Sequence, residues 1–99
     1  MSILENLISE MWKADSVAKM QQVIDGQNPQ MVYAALQNGR FYNAAPEKYL
    51  LVAGTKFKLG SIGCDISREV HQLAERILRD VEDLGDTYPT EVLDLAVKF

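Results

Sequence analysis

The segment from Ile66 to Leu84 has the most regular pattern in the chain and constrains the fold more than any other feature. Apolar residues recur there at steps of four, three, four, four and three positions: Ile66, Val70, Leu73, Ile77, Val81 and Leu84. This spacing places the apolar side chains on one face of an α-helix. Asp65 or Ser67 can cap the helix at its start, and Gly85 can end it. We therefore predict a long amphipathic helix that packs on the rest of the chain.

The N-terminal segment carries a second helical pattern. Its apolar residues come in pairs that are three to four positions apart: Ile3, Leu4, Leu7, Ile8, Met11 and Trp12. Ser2 and Glu5 fit a capping box, in which the serine oxygen and the glutamate carboxylate each accept a hydrogen bond from a backbone N–H. The apolar pattern resumes at Val17 but changes phase near Asp15 and Ser16. We therefore predict a kink or two separate helices at that point.

Glycine and proline mark the helix ends that follow. Gly26 predicts a stop, and Asn28 before a proline predicts the start of a short helix from Pro29 to about Gln37. Asn38 and Gly39 end that helix in this interpretation. The residues after it then belong to a loop: Arg40, Phe41 and Tyr42.

Residues 49–59 have two interpretations. Tyr49 to Ala53 form an apolar run that fits either a short buried helix or a strand. Lys56 to Leu59 alternate polar and apolar residues, which favours a strand and a small β-hairpin that turns at Gly54. We favour the helix for the first run and keep the hairpin as the alternative.

The helical patterns together predict the fold class. A last short helix begins at Pro89 and carries four apolar residues: Val92, Leu93, Leu95 and Ala96. Five to six short helices joined by short loops predict an all-α or mostly α compact bundle. Ninety-nine residues suit a single hydrophobic core, and the sequence contains no repeat or linker. We therefore predict one helical domain over residues 1–99.

Charge and cysteine content restrict the class of protein. Fourteen acidic residues against ten basic ones give a net charge of −4. The broad basic surface of a typical nucleic-acid-binding protein is missing, and an anionic membrane surface repels such a chain. The N-terminus lacks the pattern of a signal peptide, and no apolar run approaches the roughly 20 residues of a membrane span. Cys64 is the only cysteine, so we expect a soluble cytoplasmic protein without an intramolecular disulfide.

The sequence offers few groups for catalysis. Cys64 and His71 are the only thiol and the only imidazole, and their spacing does not imply a hydrogen bond between them. His71 with Glu75 four residues later fits an exposed weak ion pair on a helix. Neither a glycine-rich phosphate loop nor a set of four metal ligands is present. We expect no catalytic residue, metal or cofactor; a small enzyme or an enzyme accessory subunit is an alternative.

A second alternative is a DNA-binding regulator. The segment from Gly60 to Val70 has the pattern of a turn followed by a capped helix, as in a helix-turn-helix that presents its second helix to the major groove. Lys56 and Lys58 precede this segment and could contact phosphates. Residues 65–94, however, contain nine acids and three arginines, which repel the phosphate backbone. We therefore do not expect nucleic acid to be the partner.

Aromatic residues and an arginine predict a protein contact surface, because these types are enriched at interfaces. The candidate partner-binding residues are Trp12, Tyr33, Arg40, Phe41 and Tyr42. The alternative is that Phe41 and Tyr42 close the core over a turn. A small domain also gains stability as a homodimer. The leading hypothesis is a non-enzymatic protein–protein interaction module, that is, an adaptor, regulator or inhibitor, which binds another protein or a second copy of itself.

Overall fold

Helices account for most of residues 2–56 and 67–99, the part of the chain that the computed structural model describes, apart from the side chains of Gly39, Arg40, Tyr42 and Ser67. In chain order the helices are α1 (Ile3–Lys13), α2 (Val17–Ile24), α3 (Pro29–Leu36), α4 (Gly39–Ala44), α5 (Glu47–Ala53), α6 (Ser67–Leu84) and α7 (Thr90–Lys98). The residues so described contain no strand. The predicted all-α fold is confirmed.

Polar side chains begin the first three helices as the sequence predicts. Ser2, Ser16 and Asn28 each accept a hydrogen bond from a backbone N–H two or three residues later, at 2.8 to 3.1 Å. Because Ser16 caps a new helix, α1 and α2 are separate helices and not one kinked helix. Gly26 follows α2 with a φ of +78°, and Gly85 follows α6 with a φ of +70°, a conformation that favours glycine.

Helix α5 lies at the centre of the bundle. It packs against α2, α4, α6 and α7, and four consecutive residues from Tyr49 to Val52 are buried. Consecutive residues point to different sides of a helix, so a helix surrounded by four others buries all of them. The helical interpretation of Tyr49 to Ala53 is therefore confirmed, and the strand alternative for that run is wrong. Residues 57–59 of the alternative hairpin lie outside the described residues.

Helix α4 corrects the predicted loop after Gly39. Residues 39–44 are helical, and Phe41 is fully buried. The segment has no helical apolar repeat and begins with glycine, so local propensity does not indicate a helix. The burial of Phe41 instead comes from contacts with distant parts of the chain, and such tertiary packing regularly outweighs weak local propensity.

Two groups of helices meet at α5. Helix α1 packs on α2 and α3, whereas α6 packs on α5 and α7, and the contact between α2 and α5 joins the groups. Side chains from each of the seven helices described above form the core; among the described residues, the largest fully buried ones are Phe41, Met11, Met20, Leu36, Leu50, Leu51, Leu73, Ile77, Val32, Val52 and Val92. The radius of gyration is 12.8 Å, close to the roughly 13 Å of a compact 100-residue domain.

Candidate partner-binding surfaces

Trp12 is an exposed aromatic residue supported by the core. It lies near the end of α1, and 44% of its surface is exposed. Its ring centroid is 5.8 Å from that of Phe41, and the two ring planes are tilted by 36°. Because Phe41 is fully buried, the indole rests on a fixed support and presents its remaining surface to solvent.

The other predicted partner-binding residues have different positions. Tyr33 is half-buried on α3, and its hydroxyl accepts a hydrogen bond of 2.9 Å from Nε2 of Gln37. Phe41 has no exposed surface, which agrees with the alternative interpretation that it closes the core. The side chains of Arg40 and Tyr42 lie outside the described residues. Of the predicted set, the structure therefore brings together Trp12 and Phe41.

An open groove lies between α1 and α2. Its volume is about 420 Å³, and its lining residues are Ile3, Asn6, Leu7, Glu10, Gln22, Val23 and Gln27. Glu10 is the one ionisable side chain in this lining. The groove thus combines an apolar strip with three carboxamides and does not itself provide an acid and base pair.

The apolar stripe of α6 extends beyond the core. Leu73 and Ile77 are buried, Val81 is half-buried and Leu84 is 71% exposed. The sequence pattern does not reveal this change from buried to exposed side chains, because the apolar spacing is equally regular to the end of the helix. The arrangement of the neighbouring helices determines which apolar side chains of α6 are buried and which are exposed.

The end of α6 is also acidic. Residues 80–94 contain six acidic residues and neither lysine nor arginine. Asp80 interacts with Arg76, whose Nε lies 3.9 Å from Oδ2, and accepts a hydrogen bond of 3.4 Å from the Tyr88 hydroxyl. Burial, and then the negative charge of Asp80, raises the pKa of Tyr88. The end of α6 is therefore rich in acidic residues, and Asp80 has specific partners there.

Lys48 is a buried cation that the sequence analysis missed. Its residue exposure is 7%, and its Nζ donates a hydrogen bond of 2.6 Å to the carbonyl oxygen of Ala14. Burial lowers the pKa of Lys48, whereas the nearby carboxylates of Glu47 and Asp15 favour the charged form. The sequence does contain one indication that Lys48 is buried: it directly precedes the apolar run that forms the centre of the bundle.

His71 occupies an exposed position on α6. Its Nε2 lies 3.1 Å from Oε1 of Glu75, and both side chains are more than half exposed. This distance confirms the contact between His71 and Glu75 that the spacing predicts. Its Nδ1 lies 2.7 Å from the carbonyl oxygen of Phe99. Cys64 and Lys58 lie outside the described residues, as does the helix-turn-helix pattern before Ser67.

Comparisons with known proteins assign neither a family nor a function to this chain. No protein-family model, curated protein or solved structure matches this chain. Within residues 2–56 and 67–99, no three histidine, cysteine or acidic side chains are grouped so that they could hold a metal ion. None of the helices in that part of the chain combines the length and the apolar character that a membrane crossing requires. The candidate surfaces therefore rest on their own geometry.

Proposed function

We propose that this protein is a non-enzymatic protein–protein interaction module that binds its partner through the surface around Trp12. The observation that carries the proposal is the contact of this exposed indole with the buried ring of Phe41. Partly exposed aromatic residues that are already held in place are typical binding anchors, because little side-chain freedom is lost on binding. The module acts as an adaptor, regulator or inhibitor.

The other residues of the predicted partner-binding set also belong to this proposal. The Tyr33 hydroxyl is hydrogen-bonded to Gln37, which restrains a second amphipathic aromatic side chain. Arg40 and Tyr42 flank Phe41 in the sequence, and both types are enriched at interfaces. We propose that Arg40 and Tyr42 extend the contact surface. A cytoplasmic setting, expected from the single cysteine, belongs to the same proposal.

The partner is another protein or a second copy of this chain. A symmetric dimer would place two copies of the Trp12 surface against each other, as closed two-fold contacts require. Size-exclusion chromatography with light scattering at rising protein concentration tests for this homodimer. A dimer that Trp12→Ala converts to a monomer supports the homodimer. A monomer throughout removes the homodimer and leaves the contact with another protein.

A pull-down from the native host with quantitative mass spectrometry tests the contact with another protein. The variants are Trp12→Ala and, as the matched control, Val97→Ala, since Val97 is 75% exposed on α7. We expect Trp12→Ala to reduce capture of a specific partner by about tenfold or more, as for an anchor worth at least about 1.4 kcal/mol. Val97→Ala should capture the partner as the unchanged protein does. Equal capture by all three proteins contradicts the proposal.

Tryptophan fluorescence provides a direct readout of the same surface. Trp12 is the only tryptophan, so its emission reports on one position. Burial of the indole against a partner without tryptophan should shift the emission to shorter wavelength. An unchanged emission at saturating partner concentration would show that binding occurs elsewhere.

A further inference from the structure

The last turns of α6 present an apolar ridge that the rest of the bundle covers only in part. Leu78, Val81 and Leu84 follow one another at three-residue steps along about 9 Å of the helix axis. Leu78 is 36% exposed, Val81 is half-buried and Leu84 is 71% exposed. A row of side chains at three-residue steps is a type of ridge by which one helix packs into the groove of another. The shape of this surface therefore suits a helix as the occupant.

The charges around this ridge specify the chemistry of the occupant. Glu82, Asp83 and Asp86 are exposed at the same end of α6, and the last turn of the helix contains no basic residue. Negative charges at a helix C-terminus are unfavourable, because the helix dipole is negative there. Arg79, one turn before Glu82 and Asp83, offsets part of this electrostatic cost, whereas residues 80–94 contain no basic residue. Lysine or arginine side chains on an occupant would relieve this cost.

We propose that the end of α6, defined by Leu78, Val81, Glu82, Leu84 and Asp86, binds a basic amphipathic helix of a partner protein. The apolar face of that helix packs on the leucines and Val81, and its lysine or arginine residues lie beside the carboxylates. An apolar face in contact with a groove and charges at its edges is a common mode of helix recognition. The negative charge disfavours nucleic acid and anionic lipid as occupants. This surface and the Trp12 surface are on different helices, so each proposal can fail alone.

A synthetic peptide tests the proposal. The peptide has about 18 residues, long enough for partial helicity in water, with leucine and lysine arranged so that all leucines share one helix face. Its affinity is measured by isothermal titration calorimetry, and its position by amide chemical shifts of the full chain. We expect the largest shifts in residues 78–86 and an affinity that falls with added salt.

Two pairs of variants separate the specific site from general attraction. Leu84→Ser should weaken binding by about tenfold or more, whereas Ile3→Ser, which changes a side chain that is 72% exposed on α1, should not. The double variant Glu82→Gln with Asp86→Asn should weaken binding more than Glu5→Gln with Glu10→Gln. Both double variants change the net charge equally, so a difference between them reports on position.

Several outcomes overturn the proposal. Equal losses in Leu84→Ser and Ile3→Ser, or equal losses in the two double variants, would leave only non-specific attraction. Equally tight binding of a peptide with glutamate in place of lysine would exclude a basic partner. Equally tight binding of a scrambled peptide of the same composition would exclude recognition of an apolar helix face. Self-association of the unchanged protein that Leu84→Ser abolishes would identify a second copy as the occupant.

Discussion

The ammonium group of Lys48 in α5 donates a hydrogen bond to the carbonyl oxygen of Ala14, 34 residues earlier at the end of α1. Ala14 is the C-cap residue directly after α1, and it is itself buried. The last carbonyl groups of a helix lack partners within the helix, so Lys48 supplies a partner where water has little access. This contact joins the central helix to the N-terminal one.

Truncation of Lys48 should destabilise the fold more than replacement by a long apolar side chain. Lys48→Ala removes both the packing of the methylene groups and the hydrogen bond, and should lower the free energy of unfolding by about 2–3 kcal/mol. Lys48→Met keeps most of the volume and removes the cost of burying a charge, so the expected loss is about 1 kcal/mol. Urea unfolding measures both values. Equal losses in the two variants would show that the aliphatic part of Lys48 contributes little.

The stability of the folded chain should also depend on pH through Lys48. Burial lowers its folded-state pKa below the ordinary 10.5. Between that lower pKa and 10.5 the unfolded chain binds more protons than the folded chain, so the free energy of unfolding rises with pH there. Urea unfolding at a series of pH values up to 10.5 should show this rise, and Lys48→Met should remove it. The same pH profile in both proteins contradicts the assignment.

Tyr88 should have the opposite effect at slightly higher pH. Burial and the charge of Asp80 raise its folded-state pKa above the ordinary 10.0. Between 10.0 and the raised pKa the folded chain binds more protons, so this residue makes stability fall as pH rises. Tyr88→Phe should reduce that fall. Ultraviolet titration of the unchanged protein and of Tyr88→Phe should assign a tyrosine of raised pKa to position 88.

The conformation of Gly26 predicts a position-specific cost of alanine. Its φ is +78°, and a Cβ atom there would meet no atom within 4 Å outside Gly26 and its two chain neighbours. Only backbone strain opposes a side chain, so Gly26→Ala should lower the free energy of unfolding by about 1 kcal/mol. Gly26→Asn should cost less, since asparagine adopts positive φ more readily. Thermal unfolding compares the two, and an alanine variant of unchanged stability would contradict the assigned conformation.

Local signals predicted much of the fold, and contacts between distant residues account for what was missed. Ser16 and Pro29 each mark a helix start through residues that are adjacent to them in the sequence. The sequence alone therefore indicates these two helix starts. Helix α4 depends on the burial of Phe41 under Trp12, and the burial of Lys48 depends on the position of Ala14. The residue type of Trp12 alone predicts a contact residue, whereas only the structure shows that the ring of Phe41 supports its indole. The exposure of Leu84 depends on where its neighbouring helices end.

Glu91 of α7 should stabilise α2 from a distance of 74 positions in the sequence. Its Oε1 accepts a hydrogen bond of 3.1 Å from the backbone N–H of Val17, and α2 has no acidic residue in its own first turn. Glu91 therefore supplies both an acceptor and a negative charge at a helix N-terminus, where each is favourable. Glu91→Ala should lower the free energy of unfolding by about 1 kcal/mol, and Glu91→Gln by about half as much.

A double-mutant cycle separates this capping from the effect of Glu91 on its own helix. Ser16 caps the same end of α2, so Glu91→Ala and Ser16→Ala should not be additive in urea unfolding, because both act on one helix start. The matched control is Asp94→Ala, which changes an exposed acid on α7 and should add independently to Ser16→Ala. If Glu91→Ala also adds independently, then Glu91 acts through α7 alone, and the contact with Val17 contributes nothing measurable to stability.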